Sequence, residues 1–288
     1  MPPNSQPAAA PSVHLHQIAW SPKTLAQVEP GYRVLDNLAN PRPDWYEYWP
    51  IRRFLQEEQL DEEAFYGFFS TKFGHKSGLG HAEVVQKVQT LASRADVVLF
   101  SGYPAQIAFF LNVFEQGESA HPGLMEVAQA WLESCGIRIP LERLVMDSHQ
   151  MVFSNSFVAR PAFWREWLTW NETLFALCET QDTPLSRRLT GLTRYDGKAQ
   201  LKVFLMERMA PLILSLQQRR WRVRSHNPYA RPRPWPDDKL AMMELPQILC
   251  FDALKHAFVT FGYPEYLEAI DHMREQFQPD GQPIVKTA

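Results

Sequence analysis

Short apolar runs alternate with helix-patterned segments along nearly the whole chain, and this alternation limits the possible folds more than any other feature. "HLHQIAW" (14–20), "YRVLDN" (32–37), "AFYGFFS" (64–70), "ADVVLFS" (95–101), "MVFSNSFVARP" (151–161) and "RRWRVR" (219–224) read as strands. "ADVVLFS" carries the run of apolar residues typical of a central strand buried on both faces. Helical patterns cover 51–59, 81–91, 104–114, 123–133, 161–178 and 199–217, with Pro161 suited to a first helical position. Strand–helix alternation of this kind predicts an α/β sandwich around a mostly parallel central sheet. A Pro-rich stretch, 227–236, reads as extended loop, and the helices beyond it read as a C-terminal helical appendage. The expected organisation is a disordered tail over 1–12, an α/β domain over 13–225, and a loop plus helices over 226–288 packed on that same domain.

Composition narrows the function classes modestly. The 288 residues can bury a sizeable core, and 45% hydrophobic with 21% charged is ordinary for a globular protein. A net charge of -3 gives no global field favouring nucleic acid. Cys135, Cys178 and Cys250 lie far apart with no metal-binding spacing, which suits reduced thiols in the cytoplasm. "MPPNSQPAAAPS" has neither the basic nor the apolar segment of a signal peptide, and no apolar run approaches a membrane span.

The stretch "DNLANPRPDWYEYWPIRRFL" (36–55) is unusual for a core helix. Asp44 and Glu47 have the spacing of a capping box, and Pro50 predicts a kink or a restart. On the residues alone, a capped helix burying Trp45, Tyr48 and Trp49, with Arg52 and Arg53 in solvent, accounts for it.

Taken in order, several segments resemble a group of bacterial glycosyltransferase-like proteins from capsule and O-antigen gene clusters. The resemblance rests on Asp36 and Asn37 leading into Glu47-Tyr48-Trp49, then "YGFFSTKF" (66–73) and "ADVVLF" (95–100). It continues through "FSNSFVARPAFWREWLTW" (153–170) and "LKVFLMERM" (201–209). It spans roughly residues 14–225, and each motif is weak by itself. It implies a type A glycosyltransferase-like, single Rossmann-like fold. It also implies a hexosyltransferase-type enzyme that moves a sugar from a nucleotide-sugar donor to a surface polysaccharide or glycolipid acceptor. Such an enzyme would be cytoplasmic, or peripheral at the inner face of the membrane. The alternative is a non-catalytic nucleotide- or glycan-binding protein of the same fold. Many type A transferases bridge a divalent cation to the diphosphate with Asp-x-Asp; this chain has none, so Mn or Mg is left open and no metal ligand is assigned.

Sugar transfer from a nucleotide donor needs a slot for the base, charge or amides for the diphosphate, polar groups on the sugar, and a carboxylate to take a proton. "TKFGHKSGLGH" (71–81) is the phosphate candidate, a Gly-rich loop with Lys72 and Lys76 beside Ser70; a flexible turn with solvated lysines is the plain alternative. Asp36, Asn37, Glu47 and Asn155 are the further donor-binding candidates. Asp147 is the preferred catalytic base and Glu207 the next, although Glu207-Arg208 also reads as a helix-face ion pair. Glu115 and His121, in "FLNVFEQGESAHPGL", are acceptor-binding candidates or helix-end charges. His149 reads more readily as a surface histidine than as a metal ligand. Six arginines and no acid between 219 and 233 suggest a solvated edge strand or a rim for an anionic, lipid-linked acceptor, with nucleic acid the less favoured partner.

Overall fold

The computed structural model describes residues 10–180, 182–194, 199–226, 240 and 243–277. Six strands form one mixed sheet in the order β2-β1-β3-β5-β4-β6: β1 (Val13–Ala19), β2 (Arg33–Asp36), β3 (Phe65–Ser70), β4 (Val97–Leu99), β5 (Phe157–Ala159) and β6 (Val223–Ser225). The pairs β1–β2, β1–β3 and β4–β6 are parallel, and only β5, wedged between β3 and β4, runs the other way. The expected α/β class and mostly parallel sheet are therefore present. The carboxyl ends of five strands and the amino end of β5 share one edge of the sheet.

Period-two alternation explains the two core layers. On β3, Tyr66 and Phe68 join Ile18, Leu99 and Phe157 on one face, whereas Phe65 and Phe69 join Leu15, Val98 and Val158 on the other. The second face is covered by α4 (His81–Leu91) through Val84 and Val88. The first carries α2 (Tyr48–Glu57) and the twenty-residue α8 (Pro161–Thr180), whose Trp164 and Trp167 are fully buried. Gly67 sits where the sheet is tightest, since a Cβ there would lie 2.9 Å from Val158.

The remaining helices are α1 (Pro22–Ala26), α3 (Phe73–Ser77), α5 (Pro104–Phe109), α6 (Val113–Ala120), α7 (Leu124–Ser134), α9 (Pro184–Leu189), α10 (Leu201–Met206), α11 (Met209–Leu216), α12 (Leu245–Phe261) and α13 (Glu265–Glu275). The last two pack on the main domain, with Phe251 and Ile270 fully buried in its core. Buried Lys255 on α12 donates to the carbonyls of Ile107 at 2.5 Å and Phe110 at 2.7 Å. Arg274 on α13 donates to the Phe109 carbonyl and pairs with Glu115 at 2.9 Å.

Four local expectations are corrected. The helix expected over 104–114 breaks after Phe109 because Asn112 starts a new one, its side chain accepting from Phe114 N and Glu115 N at 2.9 Å each. The Gly-rich segment is not all loop; five of its residues form α3, closed by Gly78 in the left-handed conformation. The strand expected over 151–161 is cut to three residues, because Ser154 and Asn155 both take positive φ, 53° and 49°. The single helix expected over 199–217 is two, α10 and α11. Pro211 explains this last break, since its ring clashes with the carbonyl of residue 207 in a continuous helix. The 1–12 tail, apart from its last three residues, and the 227–236 loop lie outside the described residues.

Candidate functional site

Two helix breaks put two glutamates at the carboxyl edge of the sheet. Residues 43–45 form a 3₁₀ turn, the chain reverses at Tyr46 (φ 48°), and α2 begins at Tyr48. Pro50 is then the third helical residue, within the first turn, where a missing N–H costs no intrahelical bond. The expected capping box does not form. Glu47 stands at the N-cap without a side-chain cap bond. Asp44 instead pairs with Arg42 at 2.9 Å and with buried Lys202 at 2.7 Å. Glu207 occupies the second break, between α10 and α11.

The turn that carries Glu47 is firmly held. Trp45 is fully buried, its Nε1 donates to Glu179 at 2.9 Å, and the Lys202 ammonium lies 4.1 Å from the centre of its ring. The Tyr48 hydroxyl bonds Glu172, which also pairs with Arg52 at 2.6 Å. Arg52 is therefore not simply in solvent: its guanidinium stacks on Phe175 of α8 at 4.6 Å. Most of the aromatic content of this stretch is packing.

Glu207, Lys76 and Asn155 cluster around the Glu47 carboxyl. Burial pushes the Glu47 carboxyl up to about 7, and the neighbouring Glu207 charge pushes the same way; Lys76 and the Asn155 amide pull it back. Burial also raises Glu207, against the attraction of Arg208 and Lys76. Lys76, on α3 directly after β3, donates from Nζ to Ser154 Oγ at 3.0 Å. Buried Glu47 Oε2 and Asn155 Oδ1 have no hydrogen-bond partner among the described residues. Such buried polar atoms are costly unless a water or a ligand supplies the missing bond. The left-handed pair Ser154 and Asn155 adds strain at the same point, of about 1–3 kcal/mol per residue.

Arg208 does not bridge to Glu207 as the helix-face reading expected. Its guanidinium is buried and donates to the Val113 carbonyl at 2.7 Å, the Phe204 carbonyl at 2.8 Å and Gln116 at 2.9 Å. Burial lowers it to about 10. Gly117 makes room, since a Cβ there would meet Arg208 Nε at 2.5 Å.

The other sequence candidates fall elsewhere. Asn37 is buried at the end of β2, its N–H bonded to the Ala19 carbonyl at 2.8 Å and its Oδ1 without a partner among the described residues. Exposed Asp36 caps Leu38 N at 2.9 Å. Ser70 ends β3, and Lys72 is exposed at the start of α3. Glu115 is bound by Leu111 N at 2.5 Å and by Arg274, so it anchors α13. His121 is buried and stacked on Phe204 at 3.5 Å, and burial with the Arg208 charge lowers it to about 4. Of the arginine run, Arg220 pairs with Glu166 at 2.9 Å and Arg222 with Asp96 at 2.6 Å, so much of this rim is neutralised. Arg231 and Arg233 lie outside the described residues.

Asp147 lies in a different cluster. It is buried, with Oδ1 accepting from His149 N at 2.7 Å and Oδ2 2.7 Å from His256 Nδ1. Burial would raise its carboxyl, but the bonds from His149 and His256 outweigh that and hold it below the usual range. His256, on α12, was missed in the sequence; it is 109 residues away, and no local pattern marks it.

Compared with family models, curated proteins and solved structures, the chain matches none of them. Among the described residues no helix is long and apolar enough to cross a membrane.

Proposed function

We propose that this protein is a type A glycosyltransferase that takes a sugar from a nucleotide donor and passes it to a polysaccharide or glycolipid hydroxyl. One observation supports the reading above all others: Glu47, Glu207, Lys76 and Asn155 converge at the carboxyl edge of an open α/β sheet, the edge where ligands of such sheets bind. In this reading Glu47, not Asp147, is the base. Its value of about 7 suits a group that must accept a proton from a hydroxyl near neutral pH. Asp147 is a weaker base with both oxygens engaged.

Lys76 takes up the charge that grows on the leaving diphosphate. The free Asn155 Oδ1 accepts from a sugar hydroxyl, and Glu207 keeps the Glu47 pair from ionising together. Trp20, 56% exposed just beyond β1, offers a flat face for the base. The chain lacks Asp-x-Asp and Lys76 supplies the local positive charge, so no step is assigned to a divalent cation.

The test is thermal stabilisation of the full chain by uridine, guanosine, cytidine and adenosine diphosphates, with and without manganese, followed by hydrolysis of the matching nucleotide sugars. A diphosphate that raises the melting temperature of the wild type and not of Lys76→Ala is the expected result. No shift with any of them contradicts the reading. The missing Asp-x-Asp favours a second reading, binding without transfer; it predicts the same shift with no donor hydrolysis.

A further inference from the structure

A second constellation lies outside the glutamate cluster and does not depend on the reading of it. Asp147, His149 and His256 bring three ligand atoms within 4.8 Å of one another. Asp147 and His149 are two residues apart in a tight turn, closed by Gln150 N and Met151 N on the Asp147 carbonyl at 3.0 Å each. His256 arrives from α12. Asp252, one turn earlier on the same helix, accepts from Ser148 N at 2.8 Å and Ser148 Oγ at 2.7 Å, and so fixes the turn against the helix. The approach is therefore built from both sides.

We propose that Asp147, His149 and His256 form a binding site for one divalent transition-metal ion, with zinc the best fit. The donor set selects the ion: two imidazoles and one carboxylate suit borderline ions such as zinc, not magnesium or calcium, which prefer oxygen throughout. The spacing is close to what such an ion needs. Tetrahedral ligands about 2.0–2.1 Å from zinc lie about 3.3 Å from each other. Here Asp147 Oδ1 at 3.4 Å from His149 Nδ1 matches that spacing, whereas Asp147 Oδ2, hydrogen-bonded to His256 Nδ1 at 2.7 Å, must open by about 0.6 Å to admit the ion. The ring centres are 5.4 Å apart, leaving the ion between them. The carboxylate is buried at 1% exposure and both histidine side chains are about half-exposed, so the ion has a dry back and an open front. Three protein ligands with an open position leave room for water or a small anion.

Occupancy would also tie α12 to the turn that leads into Ser154 and Asn155. A plain pair of Asp–His hydrogen bonds makes the same static contacts but takes up no metal, and the two are separable. The experiment uses the full chain stripped with chelator and titrated with zinc by calorimetry and with cobalt by visible absorption. The expected result is one ion per chain, ligand-field bands of a low-coordinate cobalt site, and a raised melting temperature with zinc. His256→Ala and His149→Ala, both at exposed positions, each weaken zinc binding by more than about 100-fold, beyond the cost of losing an outer partner. His272→Ala, a solvent-exposed histidine on α13, leaves it unchanged. Absence of one-to-one binding, or equal binding in wild type and in both ligand variants, overturns the proposal.

Discussion

Glu47 and Asp147 are both carboxylates set into the protein interior, and their surroundings treat them in opposite ways. Glu47 is given a like charge, a lysine and an amide, with one oxygen unbonded, and it rises to about 7. Asp147 is given a backbone amide and two imidazoles, and it is held below the usual range. Burial alone would raise both, so the partners decide. A carboxylate poised near neutrality can exchange a proton; one locked as an anion can hold a cation or a turn. In the roles proposed above, Glu47 is then the proton-transfer group and Asp147 the charge-binding one.

The largest effect that can break this division is catalytic. Glu47→Gln should lower turnover of a nucleotide sugar by about 10³-fold, within the range for a lost general base. Asp147→Asn should leave turnover within a few-fold of wild type. Steady-state rates of the two variants check this, and the reverse order would restore Asp147 as the base. Next comes placement. Pro211→Ala permits α10 and α11 to fuse and moves Glu207; a displacement of about 1 Å at a reacting centre costs about 10²-fold in rate. Kinetics together with a small gain in helical circular dichroism check that outcome.

Stability should divide the two residues in sign. Asp147 has a lowered folded value, so its contribution is present above the ordinary aspartate range and is lost as pH falls through the folded value. Asp147→Asn should then destabilise the protein at neutral pH by about 2 kcal/mol, read from urea unfolding. Glu47 has a raised folded value, so the stability its proton brings is full below the ordinary glutamate range and is lost as pH rises through about 7. Glu47→Gln should be more stable than wild type near about pH 8, by about 1 kcal/mol once partial solvent screening is allowed for, with the gain fading near about pH 5. Melting curves at the two pH values check this.

Much of the sheet was legible because β-strands in this chain are short apolar runs between amphipathic helices. α4 and α8 were legible from their period and, for α8, from Pro161 at its start. Glu47, Lys76, Asn155 and Glu207 were all singled out from motifs, but nothing local indicated that they cluster. Pro50 and Pro211 held that information: each dictates a break within a few residues upstream, at Glu47 and Glu207. The apolar period ran smoothly through 199–217 and masked the second break. The metal cluster was illegible for a different reason, since His256 reaches Asp147 only through the packing of α12. The glycosyltransferase chemistry we propose draws on four of these residues, Glu47, Glu207, Lys76 and Asn155.

The most direct measurement is a carbon-13 NMR titration of glutamate side-chain carboxyls in the free protein. We predict one resonance with a midpoint near 7, absent in Glu47→Gln and shifted downward in Glu207→Gln, because the Glu207 charge raises it. Glutamate carboxyls that all titrate in the ordinary range, with no change on either substitution, would contradict the account.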